Sequence, residues 1–261
     1  MSEQYVLETR NLVKEFKGFV AVDDVNLKIQ KGHIHALIGP NGAGKTTVFN
    51  LLTKFLKPTR GHILFKGQDI TSMKSAAIAR LGIVRSFQIS AVFPHMTALE
   101  NIRVALQTRE NTSYSFWKSG ASLNRLNQRC MELLDTVGLA EYANTTTVEL
   151  AYGRKRALEL ATTLAMEPEL LLLDEPTQGM GREDVDSVVE LVRRAAEGRT
   201  VLMVEHNLGV VSKLCDRITV LAQGSVLTEG DYNAVSADPK VREVYMGTAK
   251  DKAPTTQEGT E

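Results

Sequence analysis

The sequence predicts an α/β protein with a mostly parallel open sheet at its core. Three observations carry that reading. Leu170 to Leu173 and Val201 to Val204 are uninterrupted apolar runs, as in strands buried on both faces. Between them Val185, Val188, Val189 and Val192 recur at i, i+3, i+4 and i+7, which is one face of a helix. Upstream, the strand-like run from His33 to Ile38 passes through a glycine-rich loop into Thr46 to Leu56, where Val48, Leu51, Leu52 and Phe55 keep helical spacing. Strands alternating with helices build parallel sheets.

The remaining elements follow in order. From Val6 to Ile29 apolar and polar residues tend to alternate, the pattern of strands with one wet face, and Ile63 to Phe65 adds another strand. This part is expected to be an antiparallel β subdomain. From Pro94 to Met166 helical periodicity dominates, in Ala98 to Leu106, Leu123 to Val137 and Leu158 to Ala165, which predicts an inserted α-helical subdomain. The polar stretch from Gln107 to Ser122, with the single Trp117, is expected to be a loop or hairpin inside that insert. Arg217 to Thr228 is expected to close the core as a hairpin around Gln223-Gly224. The chain thus divides into one unit, 1–247, with a core of 1–87 and 167–247 and a helical insert of 88–166. A polar tail, 248–261, is expected to be disordered.

The 261 residues carry 31 basic and 31 acidic side chains, with 43% hydrophobic and 24% charged residues, the composition of a globular domain. Zero net charge argues against a nucleic-acid coat, which needs a Lys/Arg excess to neutralise phosphates. No apolar run approaches the ~18 residues of a membrane span, and the start lacks the basic-then-apolar pattern of a secretory signal. Cys130 and Cys215 stand far apart, as core thiols would.

Gly39-Pro40-Asn41-Gly42-Ala43-Gly44-Lys45-Thr46 fits G-x-x-x-x-G-K-[ST] at every fixed position and lies between a buried strand and a helix start. The glycines let backbone N–H groups converge on a phosphate chain, and the helix dipole favours its charge. Lys45 would neutralise the outer phosphates and Thr46 would ligate Mg2+. Asp174, at the end of a strand expected to neighbour the P-loop strand, can reach the metal through water, and Glu175 is placed to accept a proton from the attacking water or to orient it. His206 reaches the same sheet edge, where an imidazole can sense a terminal phosphate, whereas His33, His35, His62 and His95 are expected to be ordinary surface residues. Gln88 joins the sheet to the insert, where its amide can touch metal or water. Leu150-Ala151-Tyr152-Gly153-Arg154 precedes a helix and makes a second anion-binding turn.

These pieces, in this order, resemble the ATP-binding subunit of an ABC transporter, over about Tyr5 to Gly247, and most closely the branched-chain amino-acid importer branch. The resemblance implies a RecA-like P-loop NTPase fold, and Mg-ATP bound between two cassettes, the same or paralogous. Phe16 would stack on adenine, Gly39 to Gly44, Lys45, Thr46 and Thr47 would hold phosphates and metal, and Gln88 and Asp174 would complete the metal shell. Glu175 and His206 would drive hydrolysis, while Ala151, Tyr152 and Gly153 would act across the dimer. The implied partners are a second ATP-binding subunit, two membrane permeases, one of which places a helix near Phe93 to Met96, and indirectly an extracytoplasmic substrate-binding protein, with no nucleic acid. The implied location is cytoplasmic, on the inner face of the membrane. Two departures stand out: Ala151 replaces the usual Ser of the signature, and Gly181 replaces a usual Asp. The alternatives are a lipopolysaccharide-export ATPase, a soluble P-loop phosphotransferase, or an ABC-type protein acting on nucleic acid; the last would carry two cassettes or a basic arm.

Overall fold

Two sheets organise the chain in the computed structural model, which describes residues 4–86, 92–109, 120–178 and 182–250. Strands β1 (Tyr5–Phe16), β2 (Phe19–Val25) and β3 (Lys28–Gln30) lead into β4 (Ile34–Ile38), and helix α1 (Lys45–Leu52) follows the glycine-rich loop. Next come β5 (Arg60–Phe65), β6 (Gln68–Asp69), α2 (Ser75–Arg80) and β7 (Ile83–Ser86). Three long helices form the middle: α3 (Ala98–Arg109), α4 (Gly120–Thr136) and α5 (Tyr152–Leu164). The chain then alternates through β8 (Leu170–Asp174), α6 (Arg182–Ala196), β9 (Thr200–Val204), α7 (Leu208–Leu214), β10 (Arg217–Ala222) and β11 (Ser225–Gly230), and ends in α8 (Tyr232–Ala237) and α9 (Pro239–Lys250).

Among the described residues the larger sheet runs β11-β10-β4-β9-β8-β7, parallel except for the β10–β11 hairpin. The second sheet, β2-β1-β5-β6 with β3 also on β1, is antiparallel. The two packed faces of the parallel strands explain their uninterrupted apolar runs. Ala36, Ile38, Leu171, Leu173, Val201 and Met203 pack toward the helical block, while Leu37, Leu170, Leu172, Leu202 and Val204 pack toward α1 and the antiparallel sheet. Each such aliphatic side chain stabilises the fold by roughly 1.5–3 kcal/mol.

Five expectations change. Helix α1 stops at Leu52, because Lys54 takes a left-handed φ of 62° and Thr53 turns its hydroxyl onto the Phe49 carbonyl at 2.8 Å, so Phe55 is 56% exposed rather than in the buried stripe. The expected loop from Gln107 is helical up to Arg109 and again from Gly120, while 110–119, with Trp117, lie outside the described residues. Residues 248–250 of the expected tail belong to α9, and 251–261 lie outside the described residues. The strand ending in Asp174 does not adjoin the P-loop strand; β9 lies between them. His35 is not on the surface but 1% exposed within β4, its Nε2 2.8 Å from the Thr219 hydroxyl. Cys130 is buried and Cys215 partly so, and burial pushes their thiols up to about 11 and about 12.

Candidate functional site

The site residues come together because parallel strands end on the same side. Leu37 of β4 is in register with Val204 of β9, and Val204 with Asp174 of β8. One or two residues past those partners stand Gly39, His206 and Glu175. The carboxyl edge of an open α/β sheet is where ligands bind.

The glycine-rich loop fits tightly into the fold. Gly39 has φ of 150°, and a Cβ there would sit 2.2 Å from the Leu221 carbonyl oxygen, so no other residue fits. Pro40, Asn41 and Gly42 ride outward, Ala43 is buried, and α1 begins at Lys45 with no acidic residue in its first turn. Its first-turn N–H groups and helix dipole therefore give this end a positive field with no counter-charge of its own. Lys45 is buried, and its Nζ donates to the Gly39 and Pro40 carbonyls at 2.7 and 2.9 Å. Burial lowers the pKa of this amine while the nearby Glu175 carboxylate opposes that shift. Thr46 is exposed beside it and Thr47 half-buried. Tyr245 of α9 is partly buried and sets its hydroxyl against the Gly39 backbone, and burial raises its pKa.

Asp174 is buried and paired with Arg85 of β7. Glu175 follows with a left-handed φ of 47°, a backbone conformation that ends the extended strand. Its Oε1 lies 4.0 Å from Nδ1 of the exposed His206. Beneath both, the buried Glu205 carboxylate holds the turn at Thr177 and the turn at His206. Arg85, Glu205 and Tyr245 escaped the sequence reading. The available signal was a charge set in or directly after an otherwise apolar strand, for Arg85 and Glu205; Tyr245 carried none.

Residues 22–178 match the family model described as ABC transporter. The chain belongs to the ABC transporter family. It is 39% identical over 252 residues to the high-affinity branched-chain amino acid transport ATP-binding protein BraF of Pseudomonas aeruginosa, covering 94% of this chain and 98% of that one. It is 38% identical to the corresponding LivG protein of Escherichia coli, covering 94% and 99%. A solved ATP-binding cassette of an ABC transporter in its ADP conformation superposes with a TM-score of 0.80 at 30% identity, covering 93% and 99%. A dimeric cassette in a post-hydrolysis state, bound to ADP and Pi, gives 0.72 at 26% identity, covering 87% and 98%.

The other expected residues of this ABC cassette that the structure describes lie at its surface. Ala151 is the N-cap of α5, with no side-chain hydrogen bond to the helix, and Ala151, Tyr152, Gly153 and Arg154 are all exposed, Tyr152 at 58%. Phe16 closes β1 opposite Phe19, half-exposed, with the Lys14 ammonium 4.8 Å from its ring centre. Phe93, Met96 and Val148 form an exposed apolar cluster where the Val148 and Thr147 N–H groups bond the Pro94 and Met96 carbonyls. Gln88 and Gly181 lie outside the described residues.

Proposed function

We propose that this chain is the ATP-hydrolysing subunit of an importer for branched-chain or related amino acids, binding Mg-ATP at a head-to-tail interface with a second cassette. One observation carries the reading: Lys45, Glu175 and His206 meet at the edge of one sheet, next to a helix start that has no counter-charge of its own. The names of the relatives support the amino-acid class, and membership of the ABC transporter family sets aside the soluble phosphotransferase.

In this reading Gly39 to Gly44, Lys45, Thr46 and Thr47 cradle the phosphates and Phe16 carries the adenine. Among the described residues no three His, Cys, Asp or Glu side chains converge as a metal cage. A magnesium carried on ATP keeps several waters and needs few protein oxygens; the Thr46 hydroxyl, the Gln88 amide and, through water, the Asp174 carboxylate are the hard donors that would hold it. The metal, when bound, neutralises phosphate charge. Glu175 takes the proton of the attacking water or orients it, His206 contacts the terminal phosphate, and Ala151, Tyr152 and Gly153 cap the phosphate held by the partner cassette. The segment 88–166 moves against the core 1–87 and 167–247. One of two permeases places a helix in the groove near Phe93 and Met96, and a binding protein delivers substrate outside. No helix among the described residues is long and apolar enough to cross a membrane, which accords with a peripheral position on its inner, cytoplasmic face. The test is Glu175→Gln: hydrolysis falls about 10²- to 10⁴-fold with ATP binding retained. Near-normal hydrolysis overturns the assignment.

A further inference from the structure

We infer that Glu205 is a positioning residue that locks the turn carrying Glu175 to the turn carrying His206, so that the two groups move as one unit. The inference rests on the functional reading above and deepens it. Glu205 is 0% exposed, directly after β9. Its Oε1 accepts the Thr177 N–H at 3.1 Å and the Thr177 hydroxyl at 2.6 Å, and its Oε2 accepts the N–H groups of His206 at 3.0 Å and Asn207 at 3.1 Å. One oxygen therefore grips each turn.

A buried carboxylate costs several kcal/mol in lost hydration unless its acceptors are filled. Here all four donors belong to the two turns flanking the site and none to the core strands. The first turn is also tied to the end of β9, where the Glu175 N–H bonds the Val204 carbonyl at 3.0 Å, and the Gln178 N–H closes that turn on the Glu175 carbonyl at 3.0 Å. Beyond that turn the Gln178 carbonyl lies 3.5 Å from the Tyr152 hydroxyl at the start of α5. A displacement of His206 thus pulls, through one rigid carboxylate, on the loop behind Glu175 and on the first turn of the signature helix. A neutral amide of the same shape breaks this arrangement, because its NH2 group faces N–H donors in one of the two grips.

The experiment is a double-mutant cycle on the full chain with MgATP, reading the hydrolysis rate and, separately, the affinity for a fluorescent ATP analogue. Glu205→Gln is expected to lower kcat about 10-fold or more, as misplacements near 1 Å do, with affinity within about 3-fold of wild type. In a His206→Ala background the same change is expected to cost nothing further, since residues acting as one unit are not additive. Wild-type kcat in Glu205→Gln, multiplicative losses, or affinity falling in step with kcat each overturn the inference. If Glu205→Gln does not fold, Thr177→Val removes only the hydroxyl grip; a lowered kcat at unchanged affinity supports the lock and an unchanged rate overturns it. A wild-type chain without ATPase activity overturns the functional reading and the inference together, whereas an active wild type with an indifferent Glu205→Gln overturns the inference alone.

Discussion

The Arg85 guanidinium pairs with the Asp174 carboxylate across the β7–β8 edge, with the two side chains only 11% and 3% exposed. The same guanidinium donates to the Asn50 side chain at 2.7 Å and lies 5.8 Å from the centre of the Phe49 ring, so it also binds the sheet edge to α1. Arg85→Leu leaves a buried carboxylate without its cation and should destabilise the protein by about 3–5 kcal/mol. Because Asp174 is the carboxylate assigned to the metal, MgATP should recover more stability in this variant than in the wild type. Urea unfolding with and without MgATP measures both; equal stabilisation by MgATP in the two proteins disproves the second statement.

Two glycines of the site separate backbone need from function. At Gly39 an added Cβ meets the Leu221 carbonyl oxygen at 2.2 Å, so Gly39→Ala should destabilise the unliganded protein and abolish nucleotide binding together. At Gly153 nothing lies within 4 Å of an added Cβ, and the position is helical. Gly153→Ala should therefore leave thermal stability unchanged or raised by up to ~1 kcal/mol. If Gly153 meets the partner's phosphate, the same variant loses hydrolysis; normal turnover removes it from the interface.

The sequence reading reached furthest where the chemistry is local. The P-loop string and the all-apolar runs of β8 and β9 depend on neighbours a few residues apart, and their placement at one sheet edge follows from parallel connections. It failed where a residue's role depends on a partner distant in sequence. Arg85 and Asp174 are 89 positions apart, and Thr177 and Glu205 are 28 apart. His35 looked like a surface histidine because only Thr219, on the neighbouring strand, makes its burial tolerable. Helix α1 ended early through the backbone of Lys54, which apolar spacing does not encode.

Ala151 caps α5 with no side-chain oxygen, although its φ and ψ of −61° and 157° are those of an N-cap. Ala151→Ser should add the missing acceptor for a first-turn N–H and raise stability by about 1 kcal/mol. On the dimer reading the new hydroxyl also donates to the partner's terminal phosphate, so ATP hydrolysis should quicken. Stability raised at an unchanged rate would mean that the cap, and not closure, was what the hydroxyl served.

His35 makes stability depend on pH. Burial, aided by Arg217 and His33 and opposed by Glu229, lowers its pKa from 6.5 to about 4. The folded protein thus keeps the ring neutral at pH values where the unfolded chain protonates it. The contribution is complete above about 6.5 and is lost as the pH falls toward 4. Between pH 8 and pH 5 the wild type should lose about 2 kcal/mol that His35→Gln does not, since each pKa unit is worth 1.36 kcal/mol. The Glu229 carboxylate bonds both the Thr219 hydroxyl at 2.8 Å and Arg217 at 2.6 Å, and the amide keeps a partner for Thr219. Unfolding free energies of the two proteins across that range decide the matter: a constant gap between them would assign the acid sensitivity to other groups.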